Sequence, residues 1–153
     1  MDAHAPPSEL TTHLGFWLRY VSNHVSQAFA RRVEARGVTV AEWVLMRQLL
    51  GVEPAAPSRL AERMGAARGT VTKLADRLIA KGLVVRAPDP EDGRAQTLSL
   101  TPAGRALTPE LAALADCNDA EFFDHLTPGD RATLLRILQG IVATRDLRAL
   151  PVE

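Results

Sequence analysis

PSRLAERMGAARGTVTKLADRLIAKGLVVRAPDPEDGRAQTLSLTPAG, residues 57–104, is the stretch whose reading decides the fold. Pro57 suits the first turn of a short helix that ends at Gly65. The spacing predicts a second helix from about Arg68 to Lys81, stopped by Gly82. Its residues Val71, Leu74, Ala75, Leu78 and Ile79 form one apolar stripe, and Gly69, Thr72, Lys73, Asp76 and Arg77 lie away from it. The period then changes. Leu83-Val84-Val85-Arg86 reads as a strand, Ala87 to Gly93 is rich in Pro, Asp and Gly, and Gln96 to Leu100 alternates with a period of two. These pieces predict a hairpin with Asp89 to Arg94 at its tip. A short helix, a tight turn, a basic helix and a two-stranded wing make a winged helix-turn-helix.

Upstream, residues 9–36 carry Leu14, Leu18, Val21, Val25, Ala28 and Phe29 at helical spacing, with Gly37 as the stop. Thr39-Val40-Ala41-Glu42 is a capping box flanked by Val38 and Trp43 at the staple positions, and Gly51 closes that helix. Downstream, Thr101-Pro102 opens a helix that reaches about His125. Pro109 is expected to kink it or to mark its true start, because an interior proline removes a backbone bond. Thr127-Pro128 opens the last helix, to about Leu147, with Leu134, Leu135, Ile137, Leu138, Ile141 and Val142 along it. The expectation is a mainly α fold with a small β-hairpin wing, one domain over 1–153. Residues 38–100 are expected to form the winged helix-turn-helix lobe. The apolar helices at 9–36 and 102–147 exceed what the lobe's core needs, so they are expected to pair with a second copy.

Formal net charge is zero, but the charge is sharply divided along the chain. Arg59, Arg63, Arg68, Lys73, Arg77, Lys81 and Arg86 face only Glu62 and Asp76 within residues 59–86, a net of +5. Residues 107–130 hold Glu110, Asp116, Asp119, Glu121, Asp124 and Asp130 with no Lys or Arg, a net of −6. The basic segment is suited to an anionic partner and the acidic one is not. No apolar run approaches the ~18 residues of a membrane span. The start, Met1 to Pro7, lacks the basic and apolar regions of a signal peptide, so the expected location is cytoplasmic. Cys117 is the single cysteine, which rules out an intrachain disulfide and a cysteine-built metal site.

The same residues carry a family resemblance. Ser58 to Gly65, Gly69 to Leu78, Lys81 to Arg86, the wing run Asp89-Pro90-Glu91-Asp92-Gly93-Arg94 and the exit Leu98-Ser99-Leu100-Thr101-Pro102-Ala103-Gly104 resemble the MarR (multiple-antibiotic-resistance) regulators. The motifs span residues 58–104, and the element order matches over nearly the whole chain. The resemblance implies a homodimer that represses transcription from a pseudo-palindromic duplex operator and is released by a small aromatic or phenolic effector. Two positions depart from the family pattern. Ala67 stands where a capping Ser, Thr or Asp is usual, and Gly93 stands where a second basic wing residue is common.

For DNA, the first half of the basic helix is the part expected to reach base edges: Arg68, Thr70, Thr72 and Lys73. Gly69 would let the backbone approach a phosphate. Arg77, with Ser58 and Arg59 on the preceding helix, is expected at phosphates. Arg94 at the wing tip is the expected minor-groove contact. The resemblance implies that Asp92 holds that arginine. Asp76 reads as a salt-bridge partner, and Arg63, Lys81 and Arg86 as solubilising charge.

For an effector, His13, Phe16, Trp17, Tyr20 and His24 make an aromatic stripe, and Trp43 and Arg47 are expected to face it. His13, Arg19 or Arg47 would hold a carboxylate between aromatic walls. The competing reading of this stripe is core or dimer contact. The histidines, His4, His13, His24 and His125, lack metal-ligand spacing even with Asp119 and Asp124 near the last of them, and no metal or cofactor is expected. No Gly-rich phosphate loop, Gly-x-Ser-x-Gly elbow or His-Glu-x-x-His is present, so no catalysis is expected. The alternative from another class is a winged-helix protein-interaction module without DNA binding.

Overall fold

The computed structural model describes residues 5–152; Met1 to His4 and Glu153, and with them the readings made on the chain's first residues and His4, lie outside this range. A short 3-10 helix at Leu10–Thr12 leads into α1 (Leu14–Glu34), α2 (Val40–Leu49), α3 (Pro57–Met64) and α4 (Arg68–Ala80). β1 (Val84–Pro88) and β2 (Gln96–Leu100) follow, then α5 (Pro102–Phe123) and α6 (Pro128–Thr144). The strands pair antiparallel in a register that sets Val84 opposite Leu100 and Pro88 opposite Gln96. The architecture is the mainly helical one expected, with a two-stranded wing.

The sequence reasons for these elements are visible at their ends. Thr39 Oγ1 accepts the Glu42 amide at 3.1 Å while the Glu42 carboxylate accepts the Thr39 amide, so the capping box forms as read. Thr101 and Thr127 cap α5 and α6 through their hydroxyls alone, which accept the Gly104 and Asp130 amides, each with proline in the first turn. Ala55 exchanges two backbone hydrogen bonds with Leu98, at 3.0 and 2.8 Å, and so fastens the loop before α3 to the base of the wing.

One core lies at the centre of the lobe. Leu45, Met46 and Leu49 of α2, Leu60 and Met64 of α3, Val71, Leu74 and Leu78 of α4, Leu98 of β2 and Leu111 of α5 are all buried there. Burying each such side chain contributes roughly 1.5–3 kcal/mol. The two chain-end helices are different. α1 buries only Val33, and α6 buries none of its residues. Leu14, Trp17, Leu18 and Val21 on α1, and Leu134, Leu135, Ile137, Leu138, Ile141 and Val142 on α6, stay exposed.

Two expectations are corrected. The first long helix begins at Leu14, not residue 9. His13 is extended there (φ −92°, ψ 126°), and the Trp17 indole N–H donates to the Thr11 carbonyl at 2.9 Å, a group that would otherwise continue the helix. Pro109 does not start α5, which continues through it from Pro102 to Phe123. Leu111 is fully buried just beyond the proline, and Arg36–Glu110 and Arg32–Glu121 ion pairs tie α5 along α1. Packing of this kind outweighs the one backbone bond that proline forfeits.

Candidate nucleic-acid interface

The helix-turn-helix is built by α3, the turn at Gly65 and α4. Gly65 adopts φ 61°, the left-handed cap that ends α3, and the Ala66 amide returns to the Ala61 carbonyl at 2.9 Å. Val71, Leu74, Ala75 and Leu78 turn into the core, which leaves Arg68, Gly69, Thr70, Thr72, Lys73 and Arg77 exposed on the other face. Ser58 and Arg59 are exposed at the start of α3, and Asp92 and Arg94 at the wing tip. Every residue read as a DNA contact is therefore at the surface of this one lobe.

The side-chain bonding separates free cations from engaged ones. Among the described residues, Arg59, Arg63, Arg68, Lys73, Arg77 and Arg94 have no ion-pair partner. Arg86 pairs with Asp76 at 2.8 Å, the structural role read for that aspartate. Lys81 is not solubilising charge. Its ammonium donates to both carboxylate oxygens of Glu42, at 3.0 and 2.7 Å, and to the Gly37 carbonyl at 2.8 Å, and Glu42 is only 1% exposed. The pair locks α4 to α2. Thr72 donates to the Arg68 carbonyl at 3.0 Å, so its hydroxyl proton is occupied and its exposed oxygen is left as an acceptor.

The start of α4 carries further anion-binding capacity. Ala67 supplies no side-chain cap, as its identity requires, and the Thr70 and Val71 amides both turn to the Ala67 carbonyl. The amides of Arg68 and Gly69 are left without a backbone partner among the described residues. A Cβ added to Gly69 would meet nothing within 4 Å, so the approach to these amides is open. Free N–H groups at the positive end of a helix dipole favour a phosphate oxygen.

The wing tip is shaped by its own aspartates. Asp92 Oδ1 accepts the backbone amide of Arg94 at 3.1 Å, and Asp89 Oδ1 accepts that of Glu91 at 2.9 Å. Asp92 thus holds the Arg94 main chain and not its guanidinium, which remains free to project. Sequence reasoning missed Glu53, whose carboxylate accepts the Leu100 amide at 2.6 Å and Arg105 Nε at 3.1 Å. That joins the wing's base to the start of α5. No spacing in the sequence signals it, because the partners are about fifty residues apart.

The effector residues divide. His13, Phe16, Arg19 and Tyr20 come together with Leu10, Gly15 and Asn23 around an open cleft of about 460 Å³ on α1. Tyr20 stacks on His24 at 5.4 Å between centroids, and Trp17 meets Phe16 edge-on at 5.3 Å on the adjoining surface. Trp43 and Arg47 do not face this stripe. Trp43 packs edge-on against Phe29 at 6.3 Å. Phe29 stands about two and a half turns beyond Tyr20, at 3.6 residues per turn, and so looks out from the opposite side of α1. Arg47, one turn further along α2, is exposed. Among the described residues no group of three His, Cys, Asp or Glu side chains is placed to hold a metal ion, and no helix is long and apolar enough to cross a membrane.

Residues 36–95, most of the lobe just described, match the model of the MarR family. Over this segment the chain is similar to the MarR family, in agreement with the winged helix-turn-helix of the structure. A protein of Thauera aromatica, named for a role in regulating transcription of the hcr operon, is 29% identical over 127 residues, 82% of this chain and 76% of its own. A mutant MarR from E. coli complexed with operator DNA superposes with a TM-score of 0.76 at 25% identity, over 84% of this chain and 93% of its own. CouR of Rhodococcus jostii RHA1 bound to p-coumaroyl-CoA superposes at 0.73 and 26%, over 88% and 95%. The MarR-like fold therefore extends beyond the winged lobe to the helices at both ends.

Proposed function

We propose that this chain is a MarR-family transcriptional regulator that binds duplex DNA as a homodimer, represses transcription and is released by a small aromatic or phenolic molecule. The observation that carries the reading is the set of exposed cations without an ion-pair partner: Arg68, Lys73 and Arg77 on the outward face of α4 with its uncapped start, Arg59 and Arg63 on α3, and Arg94 at the wing tip. Exposed cations without an acidic partner are available to neutralise the phosphates of an anionic polymer. A B-DNA major groove admits one helix, and α4 presents Arg68, Thr70, Thr72 and Lys73 from its first half. Arg77, Ser58, Arg59 and the Gly69 backbone take phosphates, and Arg94 enters the minor groove with its loop held by Asp92. The exposed apolar faces of α1 and α6 are covered by a second copy, which sets two lobes on one duplex.

The effector cleft is the one at His13, Phe16, Arg19 and Tyr20, with Trp17 beside it; a flat acid would lie on the rings with its carboxylate toward His13 and Arg19. Trp43 and Arg47 have no part in it. A ligand that favours a dimer with misplaced lobes lowers DNA affinity by its preference for that state.

Fluorescence anisotropy with the duplex upstream of the protein's own reading frame, and with a random-sequence duplex, tests both halves. Selective binding that weakens steeply between 50 and 200 mM salt, and weakens again with an aromatic acid, is expected. Equal, salt-insensitive or absent binding to both duplexes would overturn the DNA reading in favour of a protein-interaction module. An unchanged curve across a panel of aromatic acids would overturn the effector reading alone.

A further inference from the structure

α6 is held to its own chain at its ends. At its start Arg131 pairs with Asp119 at 2.6 Å. Along its length every residue is exposed, so the chain itself does little to fix where the helix lies. At its far end the backbone is turned sharply. Asp146 takes a left-handed conformation, φ 52°, and the Leu147 amide returns to the Val142 carbonyl at 3.0 Å. An aspartate tolerates that conformation better than most residues, and Arg148 pairs with its carboxylate at 2.9 Å.

The turn sends residues 147–152 back across the lobe, to the corner between α3 and α4. The Leu150 amide donates to the Met64 carbonyl at 2.9 Å, satisfying an acceptor left over at the end of α3. Leu150 and Val152 are half-buried against the core. Gly65 lies directly beneath. A Cβ there would run into the Arg148 carbonyl, 2.6 Å from its carbon and 2.8 Å from Ala149 Cα. The glycine at this corner thus serves two purposes, the left-handed cap and the close passage of a second strand of backbone. The first of these was readable in the sequence; the second was not.

We propose that residues 147–152 form a strap that passes the placement of α6 to the corner between α3 and α4, and so to the DNA-reading helix. The inference rests on the DNA-binding reading for its consequence, but its mechanical part stands apart from it. α6, held by its own chain only at its ends, takes the position of its length from the second copy across the apolar face. The strap has two residues between the reversal at Leu147 and the docked Leu150, too few to absorb a displacement of several ångströms at ~3.3–3.6 Å per residue. A shift of α6 therefore reaches Met64 and Gly65, and α4 begins three residues further on, at Arg68.

The test uses the full chain. Leu135→Asp and Leu138→Asp together disturb the α6 seam, and Gly-Gly inserted between Leu147 and Arg148 slackens the strap. Amide hydrogen exchange over residues 60–72 reads the corner. In the unmodified chain the seam substitutions should speed exchange there by about tenfold, a coupling of ordinary allosteric size, and in the slackened chain they should not. The slackened chain should remain dimeric and bind the duplex about fivefold to tenfold more weakly. Leu150→Ser, which loosens the docked end, is the second route should the insertion fold poorly; it should speed exchange at the corner without loss of the dimer. Equal responses in the taut and slackened chains, or a corner that ignores Leu150→Ser, would overturn the strap. If the unmodified chain binds no duplex, the DNA reading fails, and the exchange comparison still judges the strap.

Discussion

Arg77 gives the sharpest quantitative handle on the interface. It is exposed on α4, has no ion-pair partner among the described residues, and is assigned to a phosphate. Substitution by glutamine keeps most of its length and its hydrogen-bonding end but removes the charge. Each phosphate neutralised on B-DNA contributes about −0.9 to the slope of log K against log salt. Six unpaired cations per protomer would give a dimer a slope no steeper than about −11. Arg77→Gln removes two contacts per dimer and should flatten the slope by about 1.8, or about one decade less affinity lost between 50 and 200 mM salt. Anisotropy titrations of both proteins on one duplex measure this directly. Arg86→Gln is the control, because Asp76 already engages that guanidinium, and it should flatten the slope far less. Parallel salt plots for the unmodified and Arg77→Gln proteins would refute the assignment of Arg77 to a phosphate.

Other expectations concern how the lobe is held together. Lys81→Met leaves the buried Glu42 carboxylate without its cation; a loss of about 3 kcal/mol is expected, which calorimetry should read as a Tm lower by about 6–12 °C. Gly104→Ala drives a Cβ into the Leu83 carbonyl and within 3.0 Å of its carbon, so chemical denaturation should show about 1–3 kcal/mol lost. Ala67→Ser supplies the missing cap of α4 and should raise stability by about 1 kcal/mol, seen as a higher urea midpoint with an unchanged m-value.

Much of the fold was legible because its signals are local. The Thr39–Glu42 capping box, the Thr-Pro starts of α5 and α6 and the change of period at Leu83 each lie within a few residues of what they determine. Apolar spacing in α4 separated its buried stripe from its outward face, and with it the exposed DNA-contact candidates. What escaped depends on partners far apart in the chain. Lys81 looked like one more surface cation until α2 brought Glu42 beneath it. Trp43 was assigned to the aromatic stripe because spacing along α2 says nothing about which side of α1 it meets. Pro109 was expected to kink α5 or to mark its start; it does not mark the start, and contacts from α1 accompany the helix past it. The start of α1 at Leu14, where the Trp17 indole meets the Thr11 carbonyl, likewise involves a contact that apolar spacing does not register. The return of Leu150 to Met64 joins segments that only the folded chain sets side by side.

The central claim, two copies setting twin α4 helices into one duplex, is most directly tested by hydroxyl-radical footprinting of the selected duplex with the purified protein. The account predicts two protected patches related by a dyad, their centres about 10–10.5 base pairs apart, with both appearing at the same protein concentration. A single patch without symmetry, or two patches that fill independently, would contradict it.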